Sequence, residues 1–209
     1  MDDPEPKREG GRAARRASDT HQRLLQAALS VFNELGFDGC AIEDITERAD
    51  VGKGTFYRHF HDKVAILTSL IEQAVSFIEN RIAIPSPTPS MLEHSVSTVV
   101  RAHLAMFKEH RELFLIFLQA HSMMAVRKES LPYLQTPFTQ YWTLLEAQLS
   151  GAAASHTPSA NPRFLASAVS GSIFGIVMAN LAAMSEEVNN DQMDALCNAL
   201  VAGIVQHLR

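Results

Sequence analysis

Side chains that donate hydrogen bonds or carry positive charge are concentrated between residues 53 and 63, in the sequence KGTFYRHFHDK. Phe56 and Phe60 form an i, i+4 pair, so both would lie on the buried side of a short helix. The donor-bearing residues outside this pair are Lys53, Thr55, Tyr57, Arg58 and His59. Such groups bond to the edges of bases and to phosphate oxygens. The pattern therefore predicts a surface that binds nucleic acid.

A second helical pattern and a tight turn precede this helix. Ile42, Ile45 and Ala49 share one face of a helical period. Asp50 falls where a turn between two helices often needs a left-handed residue, and Gly52 can serve as the N-cap of the next helix. Two short helices joined in this way are typical of an element that places its second helix in the major groove of DNA. An ordinary helical hairpin with a solvated basic face is the alternative.

Asp62 and Lys63 follow the donor-rich helix. Asp62 is predicted to be the N-cap of the next helix, which puts Lys63 in the first turn of that helix. A cation at a helix N-terminus is unfavourable by itself, because the helix dipole is positive there. A bound phosphate would account for it, since the exposed N–H groups of a helix N-terminus attract anions.

The segment resembles the N-terminal DNA-binding domain of TetR-family transcriptional regulators over about residues 20–67. The resemblance is carried by LGF at 35–37, Ile45, ADV at 49–51, KGTFYRHF at 53–60 and Lys63. It implies that Thr55 and Arg58 face bases and that Lys53 lies near bases or backbone. The residues implied to hold mainly phosphates are Tyr57, His59 and Lys63.

Four positions depart from the usual pattern of that family. Ala41 stands where a capping Thr is common, and Thr46 replaces a small Ala. Asp50 and Gly52 replace the Gly and Ser that are common in the turn. A lost helix cap costs about 1 kcal/mol of stability. The positions implied to face DNA are intact, so these departures leave the resemblance in place.

The chain has 209 residues, of which 46% are hydrophobic, enough for one large domain or for a small and a medium one. Cys40 and Cys197 are far apart and lack the spacing of a metal site. Neither a disulfide scaffold, nor a metal, nor a cofactor is expected, and a reducing cytoplasmic location fits. The N-terminal residues lack the apolar stretch of a secretory signal.

The net charge of −5 is unusual for a protein that binds DNA. Residues 7–23, however, carry six basic and two acidic side chains, and residues 48–63 carry four basic and two acidic ones. The distribution of charge matters more than its sum. Positive charge gathers where contact with DNA is predicted, and acidic surface elsewhere would limit non-specific binding.

Helical periods run through the rest of the chain, so the predicted fold class is all-α. Residues 1–17 are expected to be a disordered basic arm, which either enters the minor groove or remains a solvated tail. Residues 18–64 are predicted to form a helix-turn-helix DNA-binding domain and residues 65–209 a helical ligand-binding and dimerisation domain. The predicted helices outside the turn region are 19–35, stopped by Gly36, 63–81, 90–108, 110–126, 131–152, 162–185 and 190–208.

Residues 164–184 contain no charged side chain and are long enough to span a bilayer. Small residues recur at every fourth position: Ser167, Gly171, Gly175, Ala179 and Ala183. Such a stripe allows close helix packing, either in a membrane dimer or in a buried soluble helix. Since a second candidate span is lacking, we expect no membrane. The family resemblance implies that 162–185 and 190–208 pair with the same segments of a second copy in a homodimer.

Methionine and aromatic residues are frequent between positions 103 and 145, and two more follow at 174 and 178. Together they are compatible with an apolar pocket between helices, although a packed core is the alternative for each residue. The candidate lining residues are His103, Met106, Phe107, Phe117, His121, Met124, Phe138, Tyr141, Trp142, Phe174 and Met178. A small hydrophobic or amphipathic ligand would suit such a pocket.

The motifs H-E-x-x-H, C-x-x-C and G-x-S-x-G are missing from the sequence, as is a Gly-rich phosphate loop, so no catalytic residue and no enzyme activity are expected. The sequence predicts instead a homodimer that binds double-stranded DNA and responds to a small hydrophobic effector. The family resemblance implies a transcriptional regulator, most often a repressor. The alternative is a DNA-binding co-regulator whose C-terminal domain only dimerises or binds protein.

Overall fold

The computed structural model describes residues 9–82, 92–127, 132–156, 161–180 and 190–208. Within these ranges the regular secondary structure consists of α-helices alone, which confirms the predicted all-α fold class. The chain divides into two compact units, Met1–Leu70 and Ile71–Arg209. We call them the N-terminal unit and the C-terminal unit.

Four helices begin in the N-terminal unit. They are α1 (Glu9–Gly39), α2 (Ile42–Arg48), α3 (Lys53–His59) and α4 (Lys63–Ile82). Helix α2 packs against both α1 and α3, as a helix-turn-helix requires. The division between the units falls inside α4, after the predicted domain boundary at 64/65.

Helix α1 starts earlier than the sequence predicts. It begins at Glu9, so the expectation of a disordered arm is wrong for residues 9–17, and residues 1–8 lie outside the described ranges. Residues 12–17 have the sequence RAARRA, and Ala and Arg are among the best helix formers. Gly36 interrupts the helix where predicted. Its φ of 75° and ψ of 159° are a conformation that only glycine adopts readily.

The core of the N-terminal unit joins α1, α2 and α3. Leu24, Ala28 and Phe32 of α1 are almost fully buried, as are Ile45 of α2 and Phe56 of α3. Burial of a side chain as large as Phe stabilises the fold by about 1.5–3 kcal/mol. Helices of seven residues are not stable alone, so α2 and α3 depend on this core for their shape.

Five helices build the described part of the C-terminal unit. They are α5 (Leu92–Glu109), α6 (Arg111–Arg127), α7 (Pro132–His156), α8 (Pro162–Asn180) and α9 (Asn190–Leu208). The predicted bounds agree to within a few residues, except that 181–185 lie outside the described ranges. Helix α5 is central and packs against α6, α7, α8 and α9.

Helix α8 is the uncharged segment that the sequence singles out. By length and composition alone, Pro162–Ala179 could cross a membrane, and 39% of it is buried within the fold. Core helices of soluble proteins satisfy the same criterion. One side of α8 packs on α7 and α5, while Ser167, Gly171 and Gly175 lie on its exposed side.

Candidate nucleic-acid interface

The turn between α2 and α3 has the predicted geometry. Asp50 has a positive φ of 51°, and Gly52 is the N-cap of α3 with extended backbone. The backbone N–H of Thr55 donates to the Gly52 carbonyl over 2.8 Å. Arg23 of α1 donates to the carbonyl oxygens of Ala49 and Asp50, the latter over 3.0 Å. Helix α1 therefore fixes the turn that sets the direction of α3.

The start of α2 compensates in part for the missing cap at Ala41. The backbone N–H of Ala41 donates to the Asp44 carboxylate over 2.7 Å. Thr46, the second departure from the family pattern, is buried, and its hydroxyl donates to the Glu43 carbonyl over 3.0 Å. Both unusual residues are thus accommodated without a change in the course of the helix.

Thr55 and Arg58 are neighbours on the outer side of α3. The guanidinium of Arg58 is exposed and donates to the Thr55 hydroxyl over 3.0 Å. Tyr57 is 55% exposed beside them, whereas Phe56 and Phe60 are buried with their ring centroids 5.9 Å apart. The helix thus separates a packed side from a donor-rich side, and a guanidinium keeps further donors for a base or a phosphate.

Lys53 has a partner that the sequence pattern does not reveal. Its ammonium forms an ion pair with the carboxylate of Glu43 on α2. This contact raises the pKa of Lys53 and lowers the pKa of Glu43. An acidic side chain therefore borders the basic surface at the N-terminus of α3.

His59 lies at the end of α3 against an aromatic neighbour from α1. Its ring centroid is 5.7 Å from that of His21, which stacks on Phe60 at 4.8 Å. Burial lowers the pKa of His59, and the positive charges of His21 and Arg58 lower it further. Only tertiary structure brings His21 to this site.

Lys63 points towards the backbone of its own unit. Its ammonium donates to the carbonyl oxygens of Phe37 over 2.5 Å and of Cys40 over 2.7 Å. It also lies 4.7 Å from the centroid of the Phe37 ring. These contacts use two of its three N–H donors and leave one for a phosphate. Asp62 caps the N-terminus of α4 as predicted: its carboxylate accepts a hydrogen bond from the backbone N–H of Ala65 over 2.7 Å.

Metal chemistry finds no support in the part of the chain that the structure describes. No group of three or more His, Cys, Asp or Glu side chains is placed there to hold an ion. Cys40 and Cys197 are buried free thiols, and burial raises the pKa of both.

The residues predicted to line a ligand pocket form an aromatic cluster in the C-terminal unit. Phe117 contacts the rings of Phe138, Tyr141 and Phe174 at centroid distances of 5.4, 5.1 and 6.0 Å. Seven members of the predicted set are buried: His103, Met106, Phe107, Phe117, Phe138, Tyr141 and Phe174. His121, Met124 and Trp142 are half-buried. We call this set, without Met178, the aromatic cluster.

Met178 does not join the aromatic cluster. It is 53% exposed, because it lies on the outer side of α8 with Gly171 and Gly175. The prediction that it lines the interior is therefore wrong within a single protomer. The sequence pattern could not separate the two sides of α8, since the residues that follow Arg163 in the helix carry no charge on either side.

A buried chain of polar groups crosses the aromatic cluster. Nδ1 of His103 lies 2.8 Å from the Val99 carbonyl, and Nε2 lies 2.9 Å from the Tyr141 hydroxyl. The Tyr141 hydroxyl is 2.7 Å from that of Ser170 on α8. Burial lowers the pKa of His103 to about 4 and raises that of Tyr141. The sequence points to His103 and Tyr141 separately, but neither to Ser170 nor to the connection.

Comparison with known proteins places the N-terminal unit in a recognised group. The profile described as "Bacterial regulatory proteins, tetR family" matches residues 24–70. The HTH-type transcriptional repressor DhaR of Mycobacterium sp. (strain GP1) is 37% identical over 62 residues. The match covers 30% of this chain and 31% of the repressor, so it spans less than a third of that relative's length.

Two solved structures share the fold over most of the chain. The fatty acid degradation regulator FadR from Bacillus halodurans has a TM-score of 0.74 at 17% identity, covering 91% of this chain and 96% of that one. FadR from Bacillus subtilis in complex with stearoyl-CoA has a TM-score of 0.66 at 18% identity, covering 88% and 97%. At these identities the likeness shows a common fold.

Proposed function

Because the chain belongs to the TetR family of bacterial transcriptional regulators, we propose that it is a homodimeric repressor. In this proposal it binds a palindromic DNA operator and is released by a small hydrophobic ligand. The observation that carries the proposal is the donor-rich side of α3, where Arg58 and Thr55 stand together on a helix whose other side is packed.

The recognition of DNA bases is assigned to Thr55 and Arg58. A guanidinium can bond to two acceptors on the edge of a guanine, and a threonine hydroxyl can bond to several bases. Phosphate contacts are assigned to Tyr57, His59 and Lys63, with Lys53 near bases or backbone. Phosphate contacts set the position of a protein on the duplex, whereas base contacts set the sequence it prefers.

Dimerisation is assigned to α8 and α9. Gly171 and Gly175 of α8 and Gly203 of α9 have open space where a Cβ would be, so nothing in the described part of their own chain covers them. An apolar groove of about 270 Å³ lies between the two helices; it is lined by Ala168, Ser172, Ile176, Ala199, Leu200, Gly203 and Ile204. Small residues allow the helices of a second copy to approach closely. The two-fold axis would place one α3 on each half of a palindrome.

The aromatic cluster is the proposed site of the ligand. It is mostly apolar and contains a few buried polar groups, as sites for hydrophobic ligands do. The structural neighbour FadR from Bacillus subtilis was solved in complex with stearoyl-CoA, which supports an acyl compound as the first ligand to test. DNA binding requires a fixed distance between the two α3 helices of the dimer. A ligand that binds better to a dimer with a different distance would therefore weaken DNA binding. Helix α4 is continuous and contributes residues to both units. We therefore propose that it transmits the effect of ligand binding to the N-terminal unit.

A regulator that needs no ligand is the second candidate, and one observation favours it. The ring of Phe117 contacts the rings of Phe138, Tyr141 and Phe174, as expected for a filled core. In that case α5 to α9 serve only for dimerisation or for binding a protein. A ligand would then have no effect on the affinity for DNA.

Selection of bound duplexes from a random pool, with the purified full chain, tests the proposed function. A palindromic consensus with half-sites about one helical turn apart, or a multiple of it, is the expected result. Enrichment without a shared sequence would overturn specific recognition. Non-palindromic single half-sites would overturn the dimer.

Addition of ligands to the selected complex separates the two candidates. Stearoyl-CoA is the first probe, coenzyme A alone is its control, and free fatty acids and aromatic acids complete the panel. Trp142, the one tryptophan of the chain, is half-buried beside His121 and reports binding by its fluorescence. A changed emission together with loss of DNA supports the proposed ligand control. An unchanged emission and unchanged affinity for DNA across the panel supports the ligand-independent regulator.

A further inference from the structure

The first part of α1 extends beyond the core of the N-terminal unit. Residues 14–19 are all exposed, and Leu24 is the first residue of α1 that is described as buried. The helix begins at Glu9, so roughly 20 Å of helix precede the core at 1.5 Å per residue. The exposed residues 14–19 therefore contribute nothing to the packing of that core.

Basic residues line one side of this extension. Arg16 and Arg23 are seven positions apart and therefore lie on the same side of the helix. Arg15 is next to this line, and Asp19 is the one acidic residue within it. Both Arg15 and Arg16 are exposed. We call Arg15, Arg16 and Arg23 the basic strip.

The basic strip starts beside the proposed recognition helix. Arg23 donates hydrogen bonds to Ala49 and Asp50 in the turn before α3. His21 stacks on Phe60 at the other end of α3, with 4.8 Å between ring centroids. Residues 21–23 of α1 therefore contact the turn that precedes α3 and the residue that ends it, so the basic strip begins next to α3. The carboxylate of Asp50 also lies 3.6 Å from the Arg23 guanidinium.

We infer that the basic strip binds the phosphate backbone of duplex DNA next to the groove that α3 occupies. The inference rests on the proposed function and adds a second contact surface to it. Guanidinium groups bind phosphate oxygens with two parallel hydrogen bonds, so exposed arginines in a row match a row of phosphates. The strip joins the α3 surface through Arg23 without a break in the helix.

The helical form of the strip excludes insertion into the minor groove. An α-helix with its side chains is about 10–12 Å wide, whereas the minor groove of B-DNA is about 6 Å wide. A flexible arm could enter that groove, but a helix can only lie along the backbone or in a major groove. With α3 in the major groove, the backbone remains for the strip.

The test uses the duplex obtained by the selection experiment and a double variant, Arg15→Gln with Arg16→Gln. Its control, Lys108→Gln with Arg111→Gln, removes the same charge from the C-terminal unit. Each phosphate contact contributes about 0.9 to the slope of log K against log salt concentration. We expect the strip variant to lower that slope by about 2 per bound protomer, with an unchanged consensus. The control should keep the slope of the unaltered chain.

A second variant, Ser18→Pro, tests the helical form while keeping every charge. Proline is tolerated in the first turn of a helix but breaks the turn before it. The core part of α1 should remain folded, which circular dichroism and thermal melting check. A helical strip predicts that Ser18→Pro lowers the salt slope as the arginine variant does. A retained slope would overturn the helical form and favour a flexible arm.

The outcomes separate this inference from the proposed function. A failed selection, with no consensus, overturns the proposed function before the strip is tested. A clear consensus with an unchanged salt slope in the arginine variant overturns the strip alone. A lowered slope in both the strip variant and its control would show a general effect of net charge, which also overturns the strip.

Discussion

The Tyr141 hydroxyl lies 2.9 Å from Nε2 of His103 in the interior of the C-terminal unit. The Val99 carbonyl near Nδ1 can only accept, so Nδ1 carries the proton of the neutral ring. Nε2 therefore accepts the proton of Tyr141, and the Ser170 hydroxyl donates to the Tyr141 oxygen. Each group thus donates to the next, from Ser170 to Tyr141 to His103 to the Val99 carbonyl. This arrangement requires the imidazole of His103 to be neutral, because Nε2 must accept a hydrogen bond.

The stability of the fold should fall in mild acid because of His103. Burial lowers its pKa from 6.5 to about 4, so between these values the unfolded chain binds a proton that the folded chain does not. Stability contributed by the neutral ring is present above pH 6.5 and is lost as the pH falls towards 4. At about 1.4 kcal/mol per pH unit, the loss between pH 6.5 and 5 is about 2 kcal/mol.

Urea unfolding at pH 7.5 and pH 5 measures this effect. In His103→Gln the difference in the free energy of unfolding between the two pH values should be smaller by the contribution of His103. His94→Gln, at an exposed position on the same helix, should keep the difference of the unaltered chain. The protonation of carboxylates also changes the stability in this pH range, but it does so equally in the unaltered chain and in both variants, so it cancels in the comparison. An equal pH dependence in the His103 variant would refute the assignment.

Arg58→Ala should relax the sequence preference of DNA binding. Loss of a bidentate base contact costs on the order of 1–3 kcal/mol of discrimination at one position of each half-site. Selection from a random pool should show one degenerate position. Arg48→Ala is the control, since this exposed arginine of α2 is held by Glu34 over 2.7 and 2.8 Å. An unaltered consensus in the Arg58 variant would rule out the base contact.

Lys63→Met should have two separate effects. The carbonyls of Phe37 and Cys40 lose their donor, so the free energy of unfolding should fall by about 1–3 kcal/mol. If the third N–H holds a phosphate, binding to all sequences weakens and the salt slope falls by about 0.9 per half-site. Lys63→Arg keeps the charge and should keep the slope. Lower stability with an unchanged slope would leave Lys63 a structural role only.

Gly171→Leu should prevent dimerisation without unfolding the protomer. A Cβ at this position meets open space within one chain, but a large side chain would separate closely packed helices of two copies. Sedimentation equilibrium should show a shift to monomer. Ala147→Leu, at an exposed position of α7, is the matched control and should remain dimeric. A dimer of unchanged affinity in Gly171→Leu would place the interface elsewhere.

Hydrophobic periodicity is enough to locate most helices of this chain. Leu24, Ala28 and Phe32 are spaced for one face of α1, and they are buried in the core as that spacing predicts. Turn chemistry is also local, so Asp50 with its positive φ and the N-caps at Gly52 and Asp62 could be predicted. The start of α1 could not, because Gly, Pro and charged residues before position 12 suggest disorder while the Ala- and Arg-rich residues after it favour a helix.

The partners of the candidate site could not be predicted from spacing. Lys63 meets Phe37 and Cys40 only because α4 begins beside the end of α1. His21 reaches Phe60 across the same unit, and Ser170 reaches Tyr141 from another helix. These contacts join residues far apart in sequence, and a single sequence records no such pairs.

The ion pair of Lys53 with Glu43 would make the proposed contact of Lys53 with DNA an exchange of partners rather than a simple addition. A phosphate that approaches the N-terminus of α3 must compete with a carboxylate that already holds the ammonium. Any duplex offers phosphates, but only a matching sequence adds base contacts to offset the loss of that internal partner. If the chain binds DNA as proposed, breaking this ion pair would weaken binding to every duplex by a similar amount. DNA that offers no base contacts would then be left with too little affinity to stay bound.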